Sequence, residues 1–548
     1  MVNMRNYKFY YVVILVFVFI VCIFSNYYVS FKYNKRYHQH LEDNFNYVCP
    51  DDEVFCTHLP IVSISTNDLV IPDGVFAGDK INASITIYDK TKEVNKITDS
   101  PISKNNILIG YRGNSSIDFD KHQYSIQFVN DKGLYQDVSV LGMDSDNHWI
   151  LNGPFLDKTQ IRNYVAYNIS GEIMGKVPDV RFCEVFLNDE YQGLYVMTES
   201  ISKNLTGITS YKPRWSNGLT SYIIRADRYD ENSVMLNNFG LYTGSIIKGN
   251  GINVIYPSEA ELDSGLVETI EEDFSRFEHS LYSFDYKEYS KYIDVDSFVD
   301  YMIINEYFRN ADAGTHSTYL YKDVRGKITM GPVWDFNNSV DNYFEEVYPT
   351  SGFIFQEKTW YEMLVRDPKF IEKVIKRYRE LRKTILNNDY IQGYIDDVLL
   401  YIKPAVVRNF EVWGYTFGEN FVELKPIERN YRSYEDAVFQ YKNYLEERGI
   451  WLDNNIKISA DFIVVDTARA IITPLTYSPE AVAVINIPSC MGCFFIVHLP
   501  HRLYQIRTSA IICAKKISFI SFADKQSNFP RLFASAIVNV SPALASFL

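Results

Sequence analysis

The chain has 548 residues, with 54 Lys and Arg against 68 Asp and Glu, a net charge of −14, and 47% apolar residues. That apolar fraction supports a sizeable core and excludes wholesale disorder. Seven cysteines exclude a disulfide scaffold, and the acidic balance excludes a nucleic-acid binder, whose phosphate contacts need a basic face. The charge is uneven: residues 1–45 and 458–548 each carry +3, which leaves −20 for the middle. The length allows about three domains, or one large domain with extensions.

From Phe9 to Phe24 the chain runs without a charge, with Arg5 and Lys8 before it and Lys32, Lys35 and Arg36 after it. Extended toward Ser30, it reaches the ~20 residues that cross a bilayer. A transmembrane signal-anchor helix over residues 1–30 is preferred to a cleaved signal peptide, because Ser25–Ser30 offers no clear small-x-small site. Basic residues on both flanks leave the orientation open; the large domain that follows favours an outside body. Residues 31–58 read as a linker, in which Cys49 and Cys56 are either a small disulfide loop or two thiols.

The body, residues 59–457, begins β-rich. Ile61–Ser65 and Ile81–Tyr88 alternate apolar and polar residues, as half-buried strands do. Ile107–Tyr111 leads into Arg112-Gly-Asn-Ser-Ser116. Lys121–Phe128 is another strand, with Tyr124, Ile126 and Phe128 on one face and Lys121, Gln123, Ser125 and Gln127 on the other. A helix follows Asp157-Lys-Thr159, and a hairpin joins Cys183–Leu187 to Gly193–Glu199. Helices then dominate. Asp296 is the expected N-cap of a helix through Phe298 and Tyr307. Tyr319–Tyr321 and Lys327–Met330 form a second hairpin, and Gly449 is the expected stop of a last helix through Val438, Tyr441 and Leu445. A β-rich part before a helix-rich part predicts an α+β fold with two lobes.

Residues 458–548 have no assigned character. Ala481–Pro500 is free of charge, so a second membrane segment is conceivable, although Asn486, Pro488 and Ser489 argue against it. Cys490 and Cys493 form a lone CxxC, a weak metal or redox signal.

The chain holds no HExxH, P-loop or GxSxG motif, and Gly244, Gly249 and Gly251 read as turn glycines. One constellation carries chemistry. Asp312 follows the end of a helix, a hairpin comes next, and Asp335 in Trp334-Asp-Phe-Asn337 closes it. An antiparallel hairpin returns the chain to where it began, so both carboxylates can converge. Protein kinases use this order: a loop Asp that accepts the substrate hydroxyl proton, a strand pair, then an Asp that holds Mg²⁺. Two solvated turn acids are the bland alternative. Lys121 is the candidate cation for nucleotide phosphates, against a solvated strand-edge lysine, and the Arg112–Ser116 turn offers N–H groups and hydroxyls to phosphates, against an ordinary polar turn.

Six segments in order resemble the spore-coat protein H (CotH) kinase family: Arg112–Ser116; Lys121–Phe128; Trp149–Leu151 with Asp157–Asn163; Val185–Asn188 with Gly193–Glu199; Asn310-Ala-Asp312; and Gly331–Phe336. The resemblance covers residues 59–457. It implies an atypical, secretory-type bilobal protein-kinase fold that transfers phosphate from ATP, with Mg²⁺ or Mn²⁺, to Ser or Thr of coat or cell-surface proteins. It implies Asp312 as the catalytic carboxylate and Asp335 as a metal ligand. Lys121, Arg112, Ser115 and Glu199 become nucleotide-binding candidates, Glu199 alternatively only pairing with a neighbouring base. Arg162 and Asn163 position phosphates or, preferably, brace their helix. Asn337 replaces the glycine of the Asp-Phe-Gly pattern. Ser317 stands five residues after Asp312, where kinases place a metal-binding Asn, so Ser317, Asn337 or Asn338 would have to complete the metal site. The expected protein is a membrane-anchored kinase with an extracytoplasmic or surface body; the alternative is a weak or inactive member acting as a coat scaffold or surface-binding protein. A paired-carboxylate glycosidase is a distant third.

Overall fold

The structure is a computed structural model. It describes residues 14–18, 36–41, 49 and 54–456, apart from gaps at 74–78, 91–92, 114, 211–218, 230–232, 244–248, 284–285 and 345, together with short strands between 472 and 517. The chain divides into two units, Met1–Ile458 and Ser459–Leu548, and is a mixed α+β protein.

In the first unit seven strands close into a barrel. They are β1 (Ile61–Ser65), β2 (Ile81–Tyr88), β3 (Ser103–Arg112), β4 (Gln123–Val129), β5 (His148–Asn152), β6 (Val180–Leu187) and β7 (Glu190–Glu199), in the order β1-β2-β3-β4-β5-β7-β6. Parallel pairing of β1 with β6 shuts the ring, which leaves it no free edge. The alternation in the sequence decides what lies inside: Ala83, Ile85 and Ile87 of β2, Ile107 and Ile109 of β3, and Tyr124, Ile126 and Phe128 of β4 share one core with Trp149 and Leu151. Lys121 is not part of β4 but sits in the bend before it.

Between β5 and β6 runs helix α1 (Arg162–Ile173), in which ten residues are buried, among them the polar Arg162, Asn163, Asn168 and Ser170. A helix buried on all sides serves neighbours on more than one face. A second sheet follows, made of β8 (Tyr222–Arg228), β9 (Asn250–Tyr256), β10 (Thr318–Lys322) and β11 (Thr329–Met330), in the order β9-β8-β10-β11. The β10–β11 hairpin is the expected one, paired Leu320 to Met330 and Tyr321 to Thr329, and β8 and β9 widen it.

The long helices are α2 (Ser264–Tyr282), α3 (Val295–Phe308), α4 (Pro368–Leu381), α5 (Asn388–Trp413) and α6 (Tyr434–Asn455). Two sequence expectations need correction. The cap of α3 is Asp294, whose carboxylate accepts from the Asp296 N–H, so the first turn starts two residues early. Gly449 does not stop α6, which runs on to Asn455. A Cβ at Gly449 would meet Asn388 Oδ1 at 2.9 Å and the Arg382 guanidinium at 3.1 Å, so glycine serves close approach there.

Of the expected membrane segment only residues 14–18 are described, as helix; the rest lies outside the described residues. Among the described residues no helix is long and apolar enough to cross a membrane. Cys49 and Cys56 are joined in a disulfide. In the second unit Ile472–Pro474, Ala481–Asn486 and Phe494–Leu499 pair antiparallel. The charge-free stretch from Ala481 therefore contributes two strands, not a membrane helix, while Cys490 and Cys493 lie outside the described residues.

Candidate active site

A cleft of about 1110 Å³ opens between the barrel and the second sheet. The barrel side supplies Arg112, Gly113, Ser116, Gln123 and the Gly153–Asp157 turn; the other side supplies Asp312, His316, Ser317, Tyr319, Trp334, Asp335, Asn337 and Asn338. The hairpin logic explains the second group. Helix α3 ends at Arg309 in left-handed conformation (φ 50°), Asp312 follows, and β10–β11 brings Asp335 back beside it.

The two acids have unlike surroundings. Asp312 Oδ2 accepts from the Asn338 amide at 2.8 Å, and Asp312 Oδ1 lies 3.7 Å from His316 Nδ1, an ionic rather than a hydrogen-bonding distance. Burial pushes its carboxyl up, but His316, Asn338 and the Lys358 charge outweigh burial and hold it below its usual value. Lys358 is anchored nearby by donating to the Ala311 carbonyl at 2.7 Å. Asp335 goes the other way: burial and the like charge of Asp312 raise its carboxyl, against the Asn337 N–H and the Arg112 guanidinium. Paired carboxyls pushed apart in this way can share one cation while one of them handles a proton.

The Asp335 backbone is clamped. Its φ is 50°, and Ser317, on the same side of the cleft, has φ 47°; such conformations in residues other than glycine persist only where the surroundings over-determine them. Those surroundings come from α1. The Asp335 N–H donates to the Tyr167 hydroxyl at 3.0 Å, and the Phe336 N–H donates to Asn163 Oδ1 at 2.7 Å. The Asn163 amide in turn donates to Asn337 Oδ1 at 3.0 Å, and Asn310 Nδ2 donates to the Asp335 carbonyl at 3.0 Å. Arg112 lies over the Trp334 ring at 5.8 Å and donates to Gln123 Oε1 at 3.3 Å.

The structure brings Arg112, Asp312, Ser317, Asp335 and Asn337 to one cleft. It does not bring Lys121 there. That side chain is 1% exposed, and its ammonium donates to Gln160 Oε1, the Leu194 carbonyl and Asn409 Oδ1 at 3.1, 2.7 and 2.8 Å. All three N–H bonds are used, so Lys121 ties the barrel to α5. Glu199 also lies elsewhere. It accepts from the Asp179 N–H at 2.8 Å, and burial pushes it up to about 7. The Ser115 side chain lies outside the described residues. Arg162 pairs with Asp157 and donates to the Ser339 carbonyl at 3.2 Å, the bracing role, whereas Asn163 reaches the site itself. Sequence reasoning missed His316, Lys358 and Tyr167, and also Arg225 and Asp227 of β8, whose side chains pair at 3.2 Å in the cleft wall. His316, four residues after Asp312, had a local signal; Arg225 and Asp227 come from a strand that reaches the site by pairing with β10, Arg225 opposite Tyr319 far along the chain, and nothing local announces that.

Comparison with curated proteins finds no match. Comparison with protein families finds one described as CotH kinase protein, matched over residues 109–452, a span that runs from the last turns of β3 through both acids to α6. The chain therefore belongs to the CotH kinase family.

Proposed function

We propose that the chain is an ATP-dependent protein Ser/Thr kinase whose barrel and helical part are the two lobes of one body, about residues 59–457. The observation that carries this reading is the meeting of Asp312 and Asp335 in a cleft that faces Arg112. Asp312, held ionised, accepts the proton of the acceptor hydroxyl. Arg112, planar and permanently charged, contacts nucleotide phosphates, and Gly113 and Ser116, which line the cleft beside it, approach them as well.

The donors on offer are hard: two carboxylates, the amides of Asn337 and Asn338 and the Ser317 hydroxyl. Among the described residues no three His, Cys, Asp or Glu side chains are grouped to hold a metal alone. Mg²⁺ asks for less, one or two carboxylates plus substrate phosphates, so these residues fit Mg²⁺ or Mn²⁺ bound with the nucleotide. Bound there, the ion would neutralise charge on the transferred phosphoryl group.

The Cys49–Cys56 disulfide supports a body in an oxidising compartment, held by an anchor over residues 1–30 and acting on coat or cell-surface proteins. A second reading is a binding protein or scaffold on the same fold; Ser317 in place of an amide metal ligand favours it. Thermal shift of the full chain with ATP and Mg²⁺, together with phosphate incorporation into Ser-rich acceptors, separates the two. The kinase reading expects a shift that Asp335→Ala abolishes, and transfer that Asp312→Ala abolishes. A shift without transfer leaves the binding-protein reading, and no shift removes both the nucleotide and the kinase.

A further inference from the structure

Residues 36–41 were expected to belong to a linker, but they are docked on the body. Arg36 is inserted between α1 and β6. Its Nε donates to Asn168 Oδ1 at 3.0 Å and its Nη1 to the Val177 carbonyl at 3.2 Å; Nη2 reaches the Pro178 carbonyl and lies 3.3 Å from Asp179. Gln39 brackets Phe182 of β6, accepting from its N–H at 2.7 Å and donating to its carbonyl at 3.2 Å. His38 lies 2.7 Å from Glu172 and 3.0 Å from the Tyr394 hydroxyl, and His40 lies 3.1 Å from the Tyr164 hydroxyl.

The contacts on α1 fall on one stripe. Tyr164, Asn168 and Glu172 are spaced four apart and so stack along one face. The neighbouring stripe, Asn163 and Tyr167, holds the backbone N–H groups of Asp335 and Phe336 and the side-chain amide of Asn337. One helix thus carries the strap on one face and the site on the next. Gly171 fits the same account. Glycine inside a helix is unfavourable, yet a Cβ there would collide with the Arg36 guanidinium, so its absence makes room for the strap.

We infer that Arg36 and His38 are positioning residues for the Asp335 carboxylate, acting through the register of α1; the inference rests on the kinase reading of Asp335 for its catalytic part. The segment that leaves the N-terminal hydrophobic run is then part of the machinery, and a displacement of that segment is felt at the metal-binding acid.

The test uses full-chain Gly171→Ala, which crowds Arg36 out of its seat, Arg36→Ala, and Asn188→Ala as a control that weakens the barrel turn away from α1. Hydrogen exchange at the Asp335 and Phe336 backbone amides, the two that α1 holds, is read beside the melting temperature and the steady-state rates. The expected result is exchange faster by about tenfold at those two amides and kcat lower by about tenfold at unchanged acceptor KM, in both Gly171→Ala and Arg36→Ala and not in Asn188→Ala. If Arg36→Ala does not fold, His38→Gln replaces it. Unchanged exchange at the Asp335 and Phe336 backbone amides, with only the general loss of melting temperature seen in the control, overturns the inference. A wild-type chain that neither binds ATP nor transfers phosphate sinks the kinase reading instead, and the exchange comparison still decides whether the strap reaches the site.

Discussion

Buried charge is used in opposite ways on the two sides of the cleft. On the barrel side two buried charges have fixed partners: Lys121 has three acceptors, although burial still pushes its ammonium well below the usual value, and Asp157 has Arg162. On the loop side it is left in tension: Asp312 and Asp335 share a small space, and the first raises the second. Removing one member of a matched buried group leaves its partners desolvated and unpaired, which costs stability. Relieving a mismatch costs function and spares the fold. Matched charge therefore marks the frame, and mismatched charge marks the chemistry.

The largest expected effect tests the mismatched side. Asp335→Asn should lower phosphate transfer on the order of 10³-fold, and Asp312→Asn by about 10²-fold or more, the share of a general base. Asp312→Asn should lower the melting temperature slightly, because the fold holds that carboxyl below its usual value, and Asp335→Asn should raise it. The sign follows from the raised Asp335 carboxyl. The native state holds that proton more tightly than the unfolded chain, so at neutral pH the ionised group opposes folding, and stability from this group returns as pH falls through its raised value. Activity runs the other way. Both acids must be ionised, so the acid limb of the rate profile belongs to Asp335, the higher of the two. Melts and rates on one pH series check both directions, and a melting temperature that drops in Asp335→Asn would place this acid with the frame.

The matched side gives the next largest effect. Lys121→Met should destabilise by about 3 kcal/mol, because the Leu194 carbonyl and Gln160 Oε1 lose this donor and Asn409 Oδ1 is left with the Leu194 N–H, while ATP affinity at a temperature where the variant is folded should stay within twofold or so of wild type. Denaturant titration and nucleotide titration read the two quantities separately. Lost ATP affinity with intact stability would return Lys121 to the phosphate role that its place in the sequence suggested.

That residue also shows what a sequence carries and what it does not. Strand alternation is local, and the inward set Tyr124, Ile126 and Phe128 follows from it. The return of Asp335 to Asp312 was legible too, because a hairpin is a local device. Closure of the barrel by β1 on β6 depends on residues 123 apart in sequence, Ile61 opposite Glu184, and has no local signal. The same holds for the three acceptors of Lys121, which come from the turn before α1, from β7 and from α5. Side-chain type told that a cation was present; only the packing told which way its ammonium points. Gly449 and Asp296 failed for a related reason: a glycine or an acid near a helix end fits both a cap and a close approach, and the neighbouring helix decides between them.

The smallest effect sharpens the comparison most, because it touches a residue that belongs to neither side's pattern. Ser317 lines the cleft in a left-handed backbone conformation, φ 47°. Asparagine is enriched several-fold in that region over other non-glycine residues, so Ser317→Asn should relieve strain by ~0.5 kcal/mol and at the same time put an amide oxygen where kinases place one for the metal. Strain and donor chemistry then point the same way, and the variant should melt slightly higher and reach half-maximal transfer at a Mg²⁺ concentration lower by up to about tenfold. Ser317→Ala keeps the backbone and removes the hydroxyl, so it isolates the donor. If the hydroxyl ligates the ion, Ser317→Ala should need more Mg²⁺ than wild type; if Ser317→Ala and wild type have equal Mg²⁺ curves while Ser317→Asn gains, the wild-type site works with Asp335 and its neighbouring amides alone. A Ser317→Asn variant that melts higher with no change in Mg²⁺ dependence would place residue 317 among the backbone supports of the catalytic loop, with the frame rather than the chemistry.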